Sequence, residues 1–384
     1  GLVACGPGAG LCDAVAGQAQ PLGVCMAGLR MGGESGSREV LTSELESASA
    51  QFDIAAKAIL KRYGFDDCTI EQICYSENHT YRITRLNDNP FAVLRVCRPG
   101  YRSLGELQSE IAWLASLHSQ VRLNGIEIIR PIPALDGSAI QVVTMPDGEV
   151  FHGVVSTYME GSAPDEADGE AMRRLFRRLG VLAATLHEHT RGLEVTAGPC
   201  DASKLSITRP VWDCDSMLGS HALWGDWRAF ASFAPQEREL LECAETRIRA
   251  TMAAYGKPRE HFGLIHADMR LANLLVEGEA LKLLDFDDCA YSWHLFDLAA
   301  SLSFIEARPD LVELIAAWLE GYRTVPTSCP LAGMDLAVIP SLIMMRRLQL
   351  TGWLATRHDS DPVSALLPGW KTDTLSLAAR YLQG

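Results

Sequence analysis

The stretch from His266 to Asp288 combines carboxylates and an amide at spacings suited to phosphoryl transfer. Asp268 is followed five residues later by Asn273, and Asp285 comes after two short apolar runs separated by a turn at Gly278. A carboxylate can orient an attacking hydroxyl group and accept its proton, while an amide and a second carboxylate can supply oxygen ligands to Mg²⁺ on nucleotide phosphates. A β-turn-β unit between Asn273 and Asp285 would bring these two side chains together. The segment therefore predicts a phosphotransferase centre.

The order of these residues is that of the protein-kinase catalytic centre, where a catalytic-loop Asp precedes a metal-binding Asn and a second metal-binding Asp. The segment also resembles the aminoglycoside phosphotransferase/choline kinase family. His266, Asp268 and Asn273 match that family's catalytic loop, and Asp285-Phe286 matches its later Asp-Phe motif. Within the family, the chain is most similar to the stress-response kinase and homoserine kinase type II-like group. Four further stretches carry that similarity: Tyr75–Tyr81, Leu94–Tyr101, Arg209–Asp213 and Trp224–Trp227.

The resemblance implies a role for each matching residue and a requirement for ATP and Mg²⁺. Asp268 would be the catalytic base, and Asn273 and Asp285 would be the metal ligands. His266 would brace the catalytic loop, which Asp297 would hold from the start of a helix. Motifs of this form also arise by chance, because Asp and Asn often cap helices or make turns. The second Asp motif at the right separation, after a β-rich first half, favours the catalytic interpretation.

A nucleotide site also needs a cation for the phosphates, and Arg95 lies in the strand where kinases carry a lysine. A guanidinium group can bind phosphate oxygens through two parallel hydrogen bonds, although its geometry differs from that of lysine. Glu110 is its predicted partner on the following helix, with Glu106 as the alternative. The sequence has no Gly-rich loop before this strand, so we expect Ser76, Asn78 and backbone amides to approach the phosphates.

The periodicity of apolar residues predicts an α+β, protein-kinase-like bilobal fold. Residues 43–160 read as a β-rich, nucleotide-binding N-lobe, formed by an antiparallel sheet with helices. Residues 161–384 read as a helical C-lobe that carries the catalytic loop, the metal site and the acceptor cleft. The hinge between them, Ser156–Glu160, is predicted to meet adenine, with Tyr158 at its centre. The glycine-rich residues 1–42 are expected to form a flexible leader.

Net charge, apolar runs and cysteine usage limit the classes of protein to which the chain can belong. The net charge of −14 argues against a general nucleic-acid-binding protein, whose affinity would rest on cations paired with phosphates. Apolar runs stay shorter than the roughly 18 residues that a membrane span needs. The 11 cysteines form no CxxC pair, which is typical of reduced thiols in a cytoplasmic protein.

Three functions are compatible with these motifs. The first is a kinase that phosphorylates the hydroxyl group of a small molecule, such as an antibiotic, an amino alcohol or a homoserine-like metabolite. The second is a Ser/Thr protein kinase of the stress-response type. The third is a nucleotide-binding pseudokinase or regulator, which the complete set of Asp268, Asn273 and Asp285 disfavours.

Other polar and aromatic residues leave alternatives open. Ten acidic residues could form a negative lip that attracts a cationic acceptor, or could simply be solvated; they are Glu160, Asp165, Glu166, Asp168, Glu170, Asp213, Asp215, Asp226, Asp287 and Asp288. Asp287 and Asp288 could also assist metal binding. His187 and His189 are interpreted as packing or solvent-facing residues. Three tryptophans could line the substrate cleft or belong to the core: Trp212, Trp224 and Trp227.

Overall fold

The computed structural model describes residues 50–75, 78–85, 89–196, 207–357 and 366–384. The predicted leader and Ser76 lie outside these ranges. The flexibility of the leader and the phosphate contact of Ser76 therefore stay predictions. None of the helices within these ranges combines the length and the apolar character that a membrane span requires.

A five-stranded antiparallel sheet dominates the N-terminal part. Its strands run in the order β1-β2-β3-β6-β5. They span Thr69–Tyr75 (β1), Asn78–Thr84 (β2), Pro90–Cys97 (β3), Val150–Thr157 (β6) and Ile140–Thr144 (β5). Helix α1, residues 50–63, packs on one face through Phe52 and Ile59. Gly153 allows this close approach, since a Cβ atom there would lie 2.5 Å from Ile59 Cδ1. The opposite face carries Arg95, which is therefore directed away from α1.

Helix α2, Leu104–Gln120, leaves β3 through a capping box in which Ser103 Oγ accepts the Glu106 N–H and the Glu106 carboxylate accepts the Ser103 N–H. Strand β4, Ile126–Ile128, follows. The predicted antiparallel sheet of residues 43–160 would include this strand, and this is wrong. It pairs in parallel with β9 (Ala280–Leu283), which pairs with β8 (Leu274–Glu277). Ile126 and Ile128 are buried in the C-terminal core, and that packing determines the partner.

The C-terminal part is mainly helical. Its helices α3 to α10 span Gly169–Thr196, Cys214–Leu218, Pro235–Tyr255, Phe296–Ser301, Leu311–Thr324, Gly333–Ala337, Ile339–Thr356 and Trp370–Gln383. A two-stranded ribbon joins β7, Phe262–Ile265, to β10, Ala290–Trp293. Helices α3 and α7 touch backbone to backbone, because Cβ atoms at Gly180 and Gly321 would lie only 1.9 and 1.8 Å from carbonyl oxygens of the other helix. Helix α9 is buried along nearly its whole length.

Candidate active site

The predicted catalytic loop follows β7 and is held by Asp297 at the start of α6. The Asp297 carboxylate accepts hydrogen bonds from the backbone N–H groups of His266 (3.3 Å) and Ala267 (2.6 Å). Ala267 has a φ of 70°, a left-handed conformation that is unfavourable for a residue with a side chain. The two hydrogen bonds stabilise this turn, which presents Asp268 to the cleft.

His266 joins the catalytic loop to the segment that carries Asp285. Its Nδ1 accepts the N–H of Asp268 at 3.2 Å, so Nε2 bears the proton and donates to Leu284 O at 3.0 Å. Burial lowers the pKa of His266, which favours this neutral form. The neutral imidazole therefore ties the loop to the residue before Asp285.

His187, interpreted from sequence as a packing or solvent-facing residue, is fully buried and supports Asp297 from behind. Its Nε2 lies 3.0 Å from Asp297 Oδ2, and its Nδ1 lies 2.9 Å from the Tyr322 hydroxyl. Burial raises the pKa of Asp297 to about 6 and lowers the pKa of His187 well below its usual value. His187 lies 110 residues from Asp297 along the chain, so local spacing gave no signal for this contact.

The Asp268 carboxylate is held by three donors. Its Oδ2 accepts from Asn273 Nδ2 at 2.8 Å and from Arg270 Nε at 3.2 Å. Its Oδ1 accepts from Arg346 Nη2, on helix α9. Asn273 Nδ2 also donates to the Asp268 carbonyl at 2.8 Å, so the amide oxygen of Asn273 is turned away from this pair.

The β8–β9 hairpin brings the predicted metal ligands together. Leu274 pairs with Leu283, and the Leu284 N–H donates to Asn273 O at 2.9 Å, so Asn273 lies beside the backbone that leads to Asp285. Asp285 has a φ of 46°, and 48% of its side chain is exposed, into the cleft. The two residues offer the hard oxygen donors that Mg²⁺ prefers. In the described part of the chain, no cluster of three or more His, Cys, Asp or Glu side chains is arranged around a metal position. One amide and one carboxylate suit Mg²⁺, because this ion keeps several waters and binds substrate phosphates as well.

Arg95 reaches the same region from β3. Its Nη2 lies 2.7 Å from Glu110 Oε2, and its Nη1 lies 3.7 Å from Asp285 Oδ1. Of the two predicted partners, the ion pair forms with Glu110. Glu106 instead caps α2 and lies 3.9 Å from Arg102.

Asp287 and Asp288 are not solvated turn residues, because arginines from distant segments bind both. Arg102 Nη2 lies 2.5 Å from Asp288 Oδ1. Arg209 donates to the carbonyls of Asp287 and of Cys289, the latter at 2.6 Å. Burial alone would raise the pKa of Asp287, but the nearby arginines lower it. Neither Arg102 nor Arg209 is among the predicted site residues, although both lie in or beside stretches that carry the family resemblance.

Two predicted nucleotide-binding residues already have partners. Asn78 Nδ2 donates to Asp287 Oδ2 at 3.1 Å, and Asn78 Oδ1 accepts the Arg98 N–H at 3.3 Å. Asn78 thus lines the cleft while linking β2 to the segment after Asp285. The backbone N–H of Tyr158 donates to Phe91 O at 3.0 Å. Adenine would therefore have to use other backbone groups of the hinge.

The far side of the cleft comes from helices and loops of the C-terminal part and is largely aromatic. Beside Asp268 and Arg270, five residues line this acceptor wall: Trp224, Phe304, Arg346, Leu350 and Trp353. Trp212 and Trp227 are buried in the core, so only Trp224 of the three predicted tryptophans borders the cleft. The loop that carries Trp224 packs closely on α9, where a Cβ atom at Gly352 would lie 2.1 Å from Gly225 O.

Of the ten acidic residues that could form a negative lip, several are paired with cations. Asp213 pairs with Lys257, Asp215 Oδ1 lies 2.7 Å from Arg249, and Asp226 Oδ1 lies 3.2 Å from Arg228. Of the ten acidic residues in that prediction, Asp287 and Asp288 line the cleft, and both are paired with arginines. Part of the negative charge considered for the lip is thus compensated by neighbouring cations.

Comparisons with known proteins identify the family of the chain. The family model described as Phosphotransferase enzyme family matches residues 75–331. A solved microcompartment-associated aminopropanol kinase is 30% identical, with a TM-score of 0.72, and the match covers 86% of this chain and 97% of that one. Amicoumacin kinase from Bacillus subtilis (strain 168) is 22% identical over 327 residues, covering 81% of this chain and 88% of that protein.

Another solved relative, the amicoumacin kinase hAmiN in complex with AMP-PNP, Ca²⁺ and Ami, is 20% identical, with a TM-score of 0.60. That match covers 80% of this chain and 88% of that one. The predicted α+β, protein-kinase-like fold is confirmed, with a sheet-rich N-terminal part and a helical C-terminal part. Because the family model spans residues 75–331 of 384, the chain belongs to the phosphotransferase enzyme family and is a kinase.

Proposed function

We propose that the protein transfers the γ-phosphate of ATP, in the presence of Mg²⁺, to a hydroxyl group of a small molecule. The observation that carries this proposal is the position of the Asp268 carboxylate. It lies between the Asn273–Asp285 region on one side and the acceptor wall on the other. A carboxylate at such a boundary can contact an acceptor hydroxyl while that hydroxyl faces a bound phosphate.

In the proposed reaction, Asp268 orients the acceptor hydroxyl and accepts its proton as the new P–O bond forms. The bond between the γ-phosphorus and the β–γ bridging oxygen breaks, and ADP leaves. Arg95, held by Glu110, would bind phosphate oxygens, and Asn273 and Asp285 would hold Mg²⁺. Bound Mg²⁺ supplies charge neutralisation on the phosphates. His266 and Asp297 would keep the loop in position throughout.

The shape of the acceptor side supports a small molecule. Trp224, Phe304 and Trp353 border the space next to Asp268, and Arg346 lines the same space. The names of two relatives described above identify them as an aminopropanol kinase and an amicoumacin kinase. An amino alcohol is therefore the first acceptor class to test, since aromatic faces can also contact an ammonium group.

The test is a transfer assay with purified protein, ATP and Mg²⁺. The acceptor panel contains amino alcohols, homoserine and hydroxyl-bearing antibiotics, with generic protein substrates assayed in parallel. We expect a phosphomonoester of a small molecule, detected by ³¹P NMR and mass spectrometry, and none with the Asp268→Asn variant. Phosphate transfer only to proteins would contradict the small-molecule assignment, and transfer by Asp268→Asn at the wild-type rate would contradict the proposed chemistry.

A further inference from the structure

Arg346 is a charged residue in the middle of a buried helix. Its side chain is 1% exposed, and it lies on α9 among apolar residues. Its guanidinium group donates to the Asp268 carboxylate, to Ser303 Oγ at 3.0 Å and to Gln349 Oε1 at 3.0 Å. A buried charge destabilises the folded state unless it is paired, so this residue calls for a specific explanation.

The neighbouring arginine shows what a structural role looks like. Arg347 is buried to a similar degree, but its carboxylate partner is Glu306, at 3.0 Å. It also donates to Thr374 Oγ1 at 2.8 Å, and its guanidinium stacks over the Trp370 ring at 3.3 Å. Arg347 therefore joins α9 to α10 and not to the catalytic loop. Arg346, in contrast, has Asp268 as its carboxylate partner within the described chain.

The orientation of Arg346 is fixed independently of Asp268. Ser303 and Gln349 bind two of its nitrogens, and the rings of Trp224 and Phe296 lie 5.1 and 5.9 Å from its guanidinium carbon. These contacts define the plane of the guanidinium group. A group held in this way can impose an orientation on a partner that would otherwise rotate.

The Asp268 carboxylate is such a partner. The terminal torsion of an Asp side chain has a broad energy well, so its two oxygens are not fixed by the side chain alone. Asn273 and Arg270 both bind Oδ2, whereas Arg346 binds Oδ1. We propose that Arg346 is a positioning residue of the phosphotransfer centre that fixes the plane of the Asp268 carboxylate for the acceptor hydroxyl. This inference rests on the proposed function.

The experiment compares Arg346→Met with the matched control Arg347→Met, using the best acceptor from the transfer assay. Misplacing a catalytic group can cost on the order of 10² in rate, so we expect kcat of Arg346→Met to fall by about that factor. The KM for ATP should stay within roughly threefold, because Arg346 lies on the acceptor side. Arg347→Met should have a lower melting temperature, but its folded fraction should keep the wild-type kcat.

Two further variants protect the test against simple misfolding. Arg346→Lys retains the charge but cannot bind Asp268, Ser303 and Gln349 together, so its kcat should lie between those of wild type and Arg346→Met. Arg346→Ala leaves space for a free guanidinium ion, and added guanidinium chloride at millimolar concentration should raise its kcat in a saturable way. A general loss of folding would not respond to guanidinium.

The outcomes separate this inference from the proposed function. A wild-type kcat in Arg346→Met, together with an inactive Asp268→Asn, would overturn the positioning role and leave the function standing. Equal losses of kcat in the Arg346→Met and Arg347→Met variants, with no guanidinium rescue, would also overturn it. An inactive wild-type protein would overturn both proposals.

Discussion

Arg95 Nη2 lies 2.7 Å from Glu110 Oε2, and both side chains are largely buried between the sheet and helix α2. This ion pair holds a guanidinium group where kinases place a lysine, with Asp285 and Asp287 within 4 Å of it. The pair therefore joins β3, α2 and the segment after the β8–β9 hairpin. Its geometry leads to the first prediction.

Arg95→Ala should raise the KM for ATP roughly 10- to 100-fold, which corresponds to the loss of one charge-assisted hydrogen bond to phosphate. The control is Arg82→Ala, which removes a more exposed arginine of the same sheet that pairs with Glu71. The KM for ATP of both variants is measured by steady-state kinetics at a saturating concentration of the acceptor. An unchanged KM in Arg95→Ala, or an equal rise in Arg82→Ala, would show that Arg95 does not bind the phosphates.

The metal site gives the second prediction. Asp285→Asn is the appropriate variant because Asn, like Asp, tolerates the positive φ of 46° at this position. Removing a residue that only supports a metal ligand typically lowers metal affinity roughly 10- to 100-fold. Loss of the Asp285 carboxylate charge should weaken Mg·ATP binding by at least that factor. Calorimetry with and without Mg²⁺ tests this. The affinity for metal-free ATP should change little, and equal effects under both conditions would argue against metal binding by Asp285.

The catalytic segment could be predicted because its donors lie close together in sequence. Asp268 and Asn273 are five residues apart, and the hairpin after them is short, so spacing alone indicated their proximity. Arg346 could not be found in this way, because it lies 78 residues from Asp268 and looks like any polar residue on a helix. Strand β4 is a similar case. It lies within the predicted β-rich half, but the choice of its partner depended on tertiary packing.

His79 gives the third prediction, on the pH dependence of stability. It is buried against the Phe52 ring, with ring centroids 3.7 Å apart, and burial lowers its pKa to about 4. The unfolded chain, with a usual histidine pKa near 6.5, then binds more protons than the folded one. The resulting destabilisation of the folded state is absent above about pH 7.5 and reaches about 1.4 kcal/mol at pH 5.5.

The measurement compares urea denaturation of wild type and His79→Gln at pH 7.5 and pH 5.5. Between pH 7.5 and pH 5.5, the free energy of unfolding should fall by about 1.4 kcal/mol less in His79→Gln than in wild type. This holds even if the variant is less stable at both pH values. All other titrating groups are common to the two proteins, so their contributions cancel. The same pH dependence in both proteins would contradict the buried neutral state of His79.

The packing of α9 against the Trp224 loop gives the fourth prediction. Gly352→Ala would place a Cβ atom 2.1 Å from Gly225 O, so the loop must move, at a typical cost of about 1–3 kcal/mol. Because Trp224 borders the cleft, the KM for the acceptor should also rise. Gly105→Ala is the control, since nothing lies within 4 Å of that position. Equal stability of both variants in thermal denaturation would show that this contact is not tight.

The central claim is that Asp268 accepts the proton of the acceptor hydroxyl, and kcat of Asp268→Asn tests it most directly. The substitution keeps the size of the side chain but removes the basic oxygen pair. We predict a loss on the order of 10²- to 10⁴-fold in kcat, with the Kd for Mg·ATP within roughly threefold of wild type by calorimetry. A kcat near the wild-type value, with nucleotide binding intact, would contradict the catalytic role of Asp268.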